Sequence, residues 1–176
     1  MIYMVEMDLI DRARRADWDK WYMEHTKMLL TFPGFHATQR FECIHQVKAP
    51  FVALHHVDGS EFFESPIYRS NAGPAGTGEW RRKMNNWSRN LFAGLETTPN
   101  INNEEYLILA EGIVKKNKIG DLKLVWIESV GLDKDVKIRG LGCTRSKEVA
   151  TGLTKLKGVR VLRPLNKRLT EVDLLF

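Results

Sequence analysis

Residues 17–57, DWDKWYMEHTKMLLTFPGFHATQRFECIHQVKAPFVALHHV, decide the fold of this chain. Within residues 17–31, large apolar side chains recur every three or four positions. This spacing predicts an amphipathic helix that ends at Pro33-Gly34. Two apolar runs follow, at residues 35–45 and 51–57, and they predict strands joined by a polar turn. The stretch therefore predicts one helix packed on a pair of neighbouring strands.

The flanking segments extend this pattern in both directions. Residues 2–9 alternate between two faces and predict a strand, whereas residues 59–78 are irregular and rich in glycine. Large apolar side chains at helical spacing predict a helix at residues 79–92, and residues 106–113 predict a further strand. The resulting order is strand-helix-strand-strand-helix-strand, which is typical of a ferredoxin-like α+β unit.

The second half of the chain has shorter elements and more strands. Alternation and turn residues predict strands at 122–130, 136–142, 159–165 and 171–176, and a short helix at 146–156. The helix predicted at 146–156 is followed by Lys157-Gly158-Val159, which resembles Pro33-Gly34-Phe35 after the first helix. We therefore expect a ferredoxin-like unit at residues 1–113, followed by a shortened, degenerate repeat at 114–176 that packs on it.

Short motifs in the first half resemble those of dimeric α/β-barrel proteins. The chain carries Trp21-Tyr22-Met23-Glu24-His25, then Phe32-Pro33-Gly34-Phe35, then Arg40-Phe41-Glu42. These are similar to the W-Y-x-x-H helix, the P-G-F turn and the strand arginine of the EthD-type and muconolactone-isomerase-type branches. The segments at residues 64–68 and 80–84 also resemble segments of proteins in this group. The resemblance, over roughly residues 1–113, implies a fold and a dimer, but no single reaction, because this superfold hosts isomerases, cyclases, decarboxylases, oxygenases and haem enzymes.

The composition is that of an ordinary globular domain. Hydrophobic residues make up 43% and charged residues 28% of the 176 residues, which argues against disorder. No apolar run approaches the roughly 20 residues of a membrane-spanning helix, and the N-terminus lacks the pattern of a secretory signal. The two cysteines, Cys43 and Cys143, suit neither a disulfide framework nor a zinc site. These features predict a soluble, cytoplasmic protein.

The positive charge is concentrated in one part of the chain. Residues 114–168 carry 15 Lys and Arg against 5 Asp and Glu, a net charge of +10, whereas the remainder carries −5. A half of the chain with this positive charge could bind an anionic partner such as nucleic acid. However, its basic residues alternate with apolar ones as on the solvated face of a sheet, at Lys123, Lys137, Arg139, Arg160 and Arg163. We therefore favour a solvated face, and nucleic-acid binding remains a secondary hypothesis.

His25 is the first candidate for chemistry. It lies on the apolar stripe of the first helix, one turn after Trp21 and close to Tyr22. A neutral imidazole in an apolar cleft can exchange protons near neutral pH, as enolisation, lactone isomerisation or decarboxylation requires. Tyr22 and Trp21 could orient a carbonyl and stack on an aromatic ring. The alternative is a core histidine hydrogen-bonded to a backbone carbonyl.

Arg40 and Glu6 are the charged candidates on the predicted strands. A charge on an inward face must be paired, because its desolvation otherwise costs several kcal/mol. A Glu6–Arg40 pair beneath the helices would meet this need. The guanidinium could also bind a substrate carboxylate.

The sequence offers little support for a metal or a nucleotide. His55-His56 places one imidazole on each face of a strand, and no H-x-x-x-H or H-x-H spacing occurs. The glycine-rich residues 73–78 lack the Gly-Lys-Ser/Thr ending of a phosphate loop and are better interpreted as a lid. We therefore expect no metal and no cofactor.

These observations predict a cofactor-free enzyme that transfers protons on a small aromatic or lactone-like acid, as an isomerase, lyase or cyclase. In this prediction His25 is the acid or base, assisted by Arg40 and Tyr22. The predicted substrate contacts are Trp18, Trp21, Glu6, His55, Trp80, Met84 and Trp87. A homodimer is expected, because a lone ferredoxin-like sheet leaves one face uncovered. The alternatives are a cofactor-free oxygenase of the same fold and a non-enzymatic module that binds a small ligand or oligomerises.

Overall fold

The computed structural model describes residues 1–111 and 118–174. Its strands are β1 Ile2–Leu9, β2 Phe35–Cys43, β3 Phe51–Val57, β4 Met84–Ala93, β5 Tyr106–Glu111, β6 Lys118–Ile119, β7 Leu122–Lys123, β8 Val125–Leu132, β9 Ile138–Thr144, β10 Val159–Pro164 and β11 Leu169–Thr170. Its α-helices are α1 Arg15–Leu29, α2 Pro66–Asn71, α3 Gly73–Gly76 and α4 Lys147–Leu153. Short 3-10 turns occupy Arg12–Arg14, Ser60–Glu64, Gly78–Arg82 and Glu171–Leu174.

Eight antiparallel strands close into a barrel. The strands are hydrogen-bonded in the order β10-β5-β9-β8-β4-β1-β3-β2, and β10 also pairs with β2, which completes the ring. The first half of the chain supplies β4-β1-β3-β2 and the second half supplies β10-β5-β9-β8. The fold is therefore α+β, with a barrel formed by both halves together. The separation of the chain at residue 113 and the ferredoxin-like ancestry of each half remain predictions.

The barrel interior is one apolar core, and each half has a second core on its outer face. All eight strands contribute to the interior, with Met4, Phe41, Leu54, Phe92, Leu109, Ile127, Leu141 and Leu162 among its members. On the outside, α1 covers β1 through Trp18 and Tyr22, and α4 covers β5 and β10. Because side chains alternate along a strand, β1 serves both cores: Met4 faces inward, and Tyr3 and Val5 face α1.

The helix predicted at residues 79–92 is wrong. The chain forms only the short turn Gly78–Arg82 there and then continues as β4, which pairs with β1 from Met84 to Phe92. Asparagine and serine in this segment are weak helix formers. Asn86 adopts a left-handed conformation with φ of 49°, where the register of the two strands shifts. The apolar residues of this segment fit both the helical and the strand period. Pairing with the free edge of β1 decides that the segment forms a strand.

Two other strand predictions need correction. The segment predicted at 106–113 to complete the first unit forms β5, which pairs with β9 and β10 of the second half. Its last two residues lie outside the described residues. At the C-terminus, the strand is only Leu169–Thr170, and Glu171–Leu174 is a 3-10 turn. The Asp173 carboxylate accepts hydrogen bonds from the backbone N–H and hydroxyl of Thr170, which stabilises this turn. Residues 175 and 176 lie outside the described residues.

The second half covers the sheet face that was expected to need a partner subunit. That face is the barrel interior, where side chains of β5, β8, β9 and β10 pack against those of β1 and β3. The stated reason for a homodimer is therefore absent, and the homodimer remains a prediction that light scattering at micromolar concentration tests. Among the described residues, no helix is long and apolar enough to cross a membrane.

Candidate active site

A narrow cavity lies between α1 and the outer face of β1 and β3. It has a volume of about 30 Å³, room for one or two water molecules. The segment from α2 to β4 closes it on the solvent side. Its lining comprises Tyr3, Val5 and Met7 from β1, Trp21, Tyr22, His25 and Leu29 from α1, His55 from β3, and Tyr68, Gly73, Thr77, Met84 and Trp87 from the covering segment and β4.

His25 presents a neutral imidazole to this cavity. Its ring stacks on Trp21, with centroids 5.2 Å apart and planes 17° from parallel, and meets Tyr22 edge-on at 6.3 Å. Burial lowers the pKa of His25 from 6.5 to about 4. Within the described part of the chain, neither ring nitrogen has a hydrogen-bond partner. The predicted alternative, a histidine bonded to a backbone carbonyl, therefore does not describe this side chain.

His55 is a second neutral imidazole on the floor of the cavity. Its Nδ1 lies 2.9 Å from the hydroxyl oxygen of Thr38, and its ring contacts Tyr3 and Phe35 with centroids 5.2 Å away. Burial is the main cause that lowers the pKa of His55 to about 3, and His25 and Arg40 lower it further. Because one nitrogen is bonded to Thr38, this ring is held in place more firmly than that of His25.

Tyr3 and Tyr68 were missed by sequence reasoning. Their hydroxyl oxygens lie 3.3 Å apart in the cavity wall, within hydrogen-bond distance. Burial raises the pKa of Tyr3 well above 10, and the guanidinium of Arg89 acts in the opposite direction. The alternation of β1 puts Tyr3 on one face with Val5 and Met7, and this face packs against α1, whereas the prediction had placed Glu6, from the opposite face, beneath the helices. Tyr68 belongs to a segment with no periodic pattern, and only the fold brings it to Tyr3.

Arg40 lies behind the cavity wall and does not line the cavity. Its guanidinium packs on the rings of Tyr22 at 4.2 Å and Trp18 at 4.8 Å. Its charge is balanced by the Asp19 carboxylate, at 2.6 Å. Burial raises the pKa of Tyr22 to about 12, and Arg40 opposes that shift. Arg40 therefore packs on Tyr22 outside the cavity lining, and its role in binding a substrate carboxylate remains a prediction.

Some of the other predicted substrate contacts line the cavity, and others lie in the apolar core. Trp21, Met84 and Trp87 line the cavity, as expected. Trp80 is buried beside Trp21, with ring centroids 5.9 Å apart, and lies outside the lining. Trp18 is fully buried against Phe51 and belongs to the core beneath α1.

Glu6 lies in the barrel interior, on the other side of the sheet from this cavity. The predicted Glu6–Arg40 pair is therefore wrong, because the two side chains point to opposite faces. Glu6 binds Arg139 at 2.8 Å and also pairs with Arg160. These arginines come from β9 and β10, so they were predicted on a solvated face, yet they are 1% and 8% exposed. Barrel closure turned these two arginines inward, whereas Lys123, Lys137 and Arg163 of the same predicted set are exposed.

Other histidines do not gather into a metal site. His36 lies at the surface beside Asp58 and Glu171, and His45 lies next to Cys43. In residues 1–111 and 118–174, no group of three or more His, Cys, Asp or Glu side chains is placed to bind a metal ion.

Solved structures share this fold at very low sequence identity. The chain is similar to one described as an anthrone oxidase-like protein, with 7% identity, a TM-score of 0.59, and coverage of 97% of this chain and 93% of that one. It is also similar to a "putative monooxygenase" from Lactobacillus acidophilus NCFM, with 9% identity, a TM-score of 0.53, and coverage of 97% and 96%. No family model and no curated protein matches the sequence. At these identities the likenesses show only that the α+β barrel fold is shared, and they do not confirm the EthD-type assignment.

The two neutral histidines predict a loss of stability in acid. Their pKa values in the folded state, about 4 for His25 and about 3 for His55, lie below the ordinary value of 6.5. The unfolded chain therefore binds more protons below about pH 6.5, and the free energy of unfolding falls as the pH is lowered toward these values. Each group contributes up to about 1.4 kcal/mol per pH unit.

Urea unfolding at a series of pH values between about 7 and 4.5 measures this effect. We expect His55→Gln, and His25→Gln to a smaller degree, to flatten the dependence relative to the unaltered protein. An unaltered slope in the double variant His25→Gln/His55→Gln would contradict the assignment.

Proposed function

We propose that this protein is an enzyme that removes a proton from a small aromatic substrate whose acidic C–H is conjugated with a carbonyl oxygen. The observation that carries the proposal is the state of His25: a neutral imidazole, without a hydrogen-bond partner among the described residues, that faces an aromatic cavity. A ring nitrogen with a free lone pair is available to accept a proton near neutral pH.

The walls of the cavity suit a flat substrate. Trp21 and Trp87 line the cavity with aromatic rings, and Met84 offers an adaptable apolar contact. Stacking between Trp21 and His25 restrains the orientation of the imidazole ring. The surrounding apolar side chains limit access of water, which would otherwise reprotonate the carbanion.

The substrate must displace the covering segment to enter. A cavity of about 30 Å³ is too small for an aromatic ring, and α3 closes over His25. A Cβ placed on Gly76 would lie 3.6 Å from Cε1 of His25 and 2.2 Å from the backbone oxygen of Asn71. Residue 76 therefore has to be glycine because the backbone of Asn71 leaves no room for a Cβ, and this tight turn lies in van der Waals contact with the imidazole. We propose that residues 60–82, which include the glycine-rich residues 73–78 interpreted as a lid from the sequence, act as a lid over the cavity.

The fate of the carbanion separates two reaction classes. The names of the two structural neighbours favour reaction with molecular oxygen, and this supports the oxygenase alternative. With anthrone as the test substrate, the methylene carbon loses two hydrogens and gains one oxygen atom from O2, and the second oxygen atom leaves with those hydrogens as water. The isomerase, lyase or cyclase alternative instead returns the proton to another position on the substrate.

Anthrone tests both steps with one compound. In air, we expect the protein to consume O2 and form anthraquinone, and excess chelator should leave the rate unchanged. Without oxygen, we expect catalysed exchange of the methylene hydrogens with deuterium from D2O, followed by NMR. Exchange without oxygen uptake would favour the isomerase or lyase class. Binding of anthrone with neither exchange nor uptake would favour the non-enzymatic ligand-binding module and overturn the proposal.

A further inference from the structure

One phenolic proton in the wall of the cavity has no acceptor in the protein. Tyr3 and Tyr68 carry two O–H protons between them, and a single contact of 3.3 Å joins their oxygens. Whichever phenol donates in that contact, the proton of the other is left over. No other acceptor for either hydroxyl occurs among the described residues. This proton is therefore available to whatever occupies the cavity, a water molecule or the oxygen of a ligand.

The structure assigns this phenol pair, Tyr3 and Tyr68, as the site that binds the substrate's oxygen and stabilises the negative charge formed there. This inference rests on the proposed function, since it specifies the class of substrate for the same cavity. The ligand must carry a carbonyl or phenolate oxygen conjugated with the carbon that loses its proton to His25.

The spacing of the two hydroxyls suits a shared acceptor. Oxygens 3.3 Å apart can both donate to a third oxygen that lies about 2.7 Å from each, a normal O–H···O distance. Donors aimed at an oxygen where charge develops are worth far more in a site that excludes water than in solution. The pair is therefore placed to stabilise an enolate better than the ketone from which it forms.

Arg89 adds a positive charge behind the pair. The guanidinium lies close enough to both phenols to interact with them electrostatically and is half-buried on β4. Its nearest carboxylate is that of Asp133, at 3.8 Å, and its backbone N–H donates to the same Asp133 side chain at 2.8 Å. Because the Asp133 contact is long, the charge of Arg89 remains available to a phenolate at the phenol pair.

One of the two phenols, Tyr68, belongs to the lid. Tyr68 lies on α2, whose N-terminus is capped by the Ser65 hydroxyl, whereas Tyr3 lies on the barrel. Gly73 packs against the Tyr68 ring. Its backbone φ is +59°, and a Cβ at this position would lie 3.1 Å from the Tyr68 hydroxyl oxygen. The position of Tyr68 thus depends on the closed lid, so the complete pair forms only when the lid is closed over the substrate.

Binding of 2-naphthol tests this inference without any turnover. We expect bound 2-naphthol to ionise at a pH at least about one unit below that of the free compound, which corresponds to a tenfold preference for the naphtholate. Tyr3→Phe and Tyr68→Phe should each remove most of this shift, and Arg89→Leu should reduce it. Absorbance of the naphtholate band across a pH series measures the shift.

Naphthalene serves as the control ligand because it has the same ring system and no oxygen. Its affinity should stay within about twofold in Tyr3→Phe and Tyr68→Phe, which shows that the cavity is intact. Tyr106→Phe removes a phenol outside the cavity and should leave the naphtholate preference unchanged.

Two outcomes overturn the assignment. The first is an unshifted naphthol pKa or no binding in the unaltered protein, and the second is a full shift in both phenylalanine variants. His25→Gln separates this inference from the proposed function, because it should keep the naphtholate preference while losing deuterium exchange. If His25→Gln loses exchange and Tyr3→Phe keeps the full shift, the proton-transfer function stands and the phenol pair is structural.

Discussion

His25→Gln is expected to lower the rate of anthrone deuterium exchange and oxygen uptake by about 10²–10⁴-fold, the usual contribution of a general base. The imidazole has no hydrogen-bond partner in the described part of the chain, so the substitution breaks no internal bond. Glutamine retains most of the volume beside Trp21 and offers no nitrogen lone pair for a proton. The thermal midpoint at pH 7 should therefore change by no more than a few degrees.

The pH profile provides a second readout of the same residue. Because burial holds the pKa of free His25 at about 4, the base is already neutral well below pH 6. We expect kcat/KM for proton removal to show no fall between about pH 7 and pH 5.5 that tracks an ordinary histidine. His56→Gln removes a histidine outside the cavity and should leave the rate unchanged. A His25→Gln variant that melts early and reacts normally, after correction for its unfolded fraction, would refute the catalytic role.

Glu6→Gln is expected to cost about 3–5 kcal/mol of unfolding free energy, the largest stability effect of any single change considered. The Glu6 carboxylate lies between two arginine side chains in the barrel interior, Arg139 and Arg160, with side-chain exposures of 1% and 10%. Removing its charge leaves two guanidinium groups close together, with only the half-exposed Glu111 to balance them. Urea unfolding at neutral pH measures the change.

Glu24→Gln is the matched control for this stability prediction. Glu24 pairs with Lys27 across one turn of α1, with both side chains well exposed, so its loss should cost at most about 1 kcal/mol. The triple variant Glu6→Leu/Arg139→Leu/Arg160→Met removes all three interior charges and should recover much of the stability lost in Glu6→Gln. A Glu6→Gln variant as stable as Glu24→Gln would show that the ion cluster does not hold the barrel closed.

The part of the site that lies on α1 was identifiable from the sequence. The apolar stripe of α1 indicated Trp21, Tyr22 and His25, and these line the cavity. The cavity residues of the covering segment, such as Tyr68, were harder to predict. The helices α2 and α3 are each shorter than two turns, so their sequences show no periodic apolar pattern. Trp87 was found for the wrong reason: it was placed on a helix, and it reaches the cavity from β4.

Local pattern alone determined which segments form α1, β1, β2 and β3, and which face of α1 is apolar. Period and turn residues specify these properties within about ten positions of chain. Pairing between distant segments is a different matter, because it depends on which free edges meet after the chain collapses. The tertiary structure therefore decided that residues 84–93 form a strand beside β1 and that β5 joins the second half. It also closed the barrel, which turned Arg139 and Arg160 toward Glu6 and brought Tyr68 to Tyr3 across 65 positions of sequence.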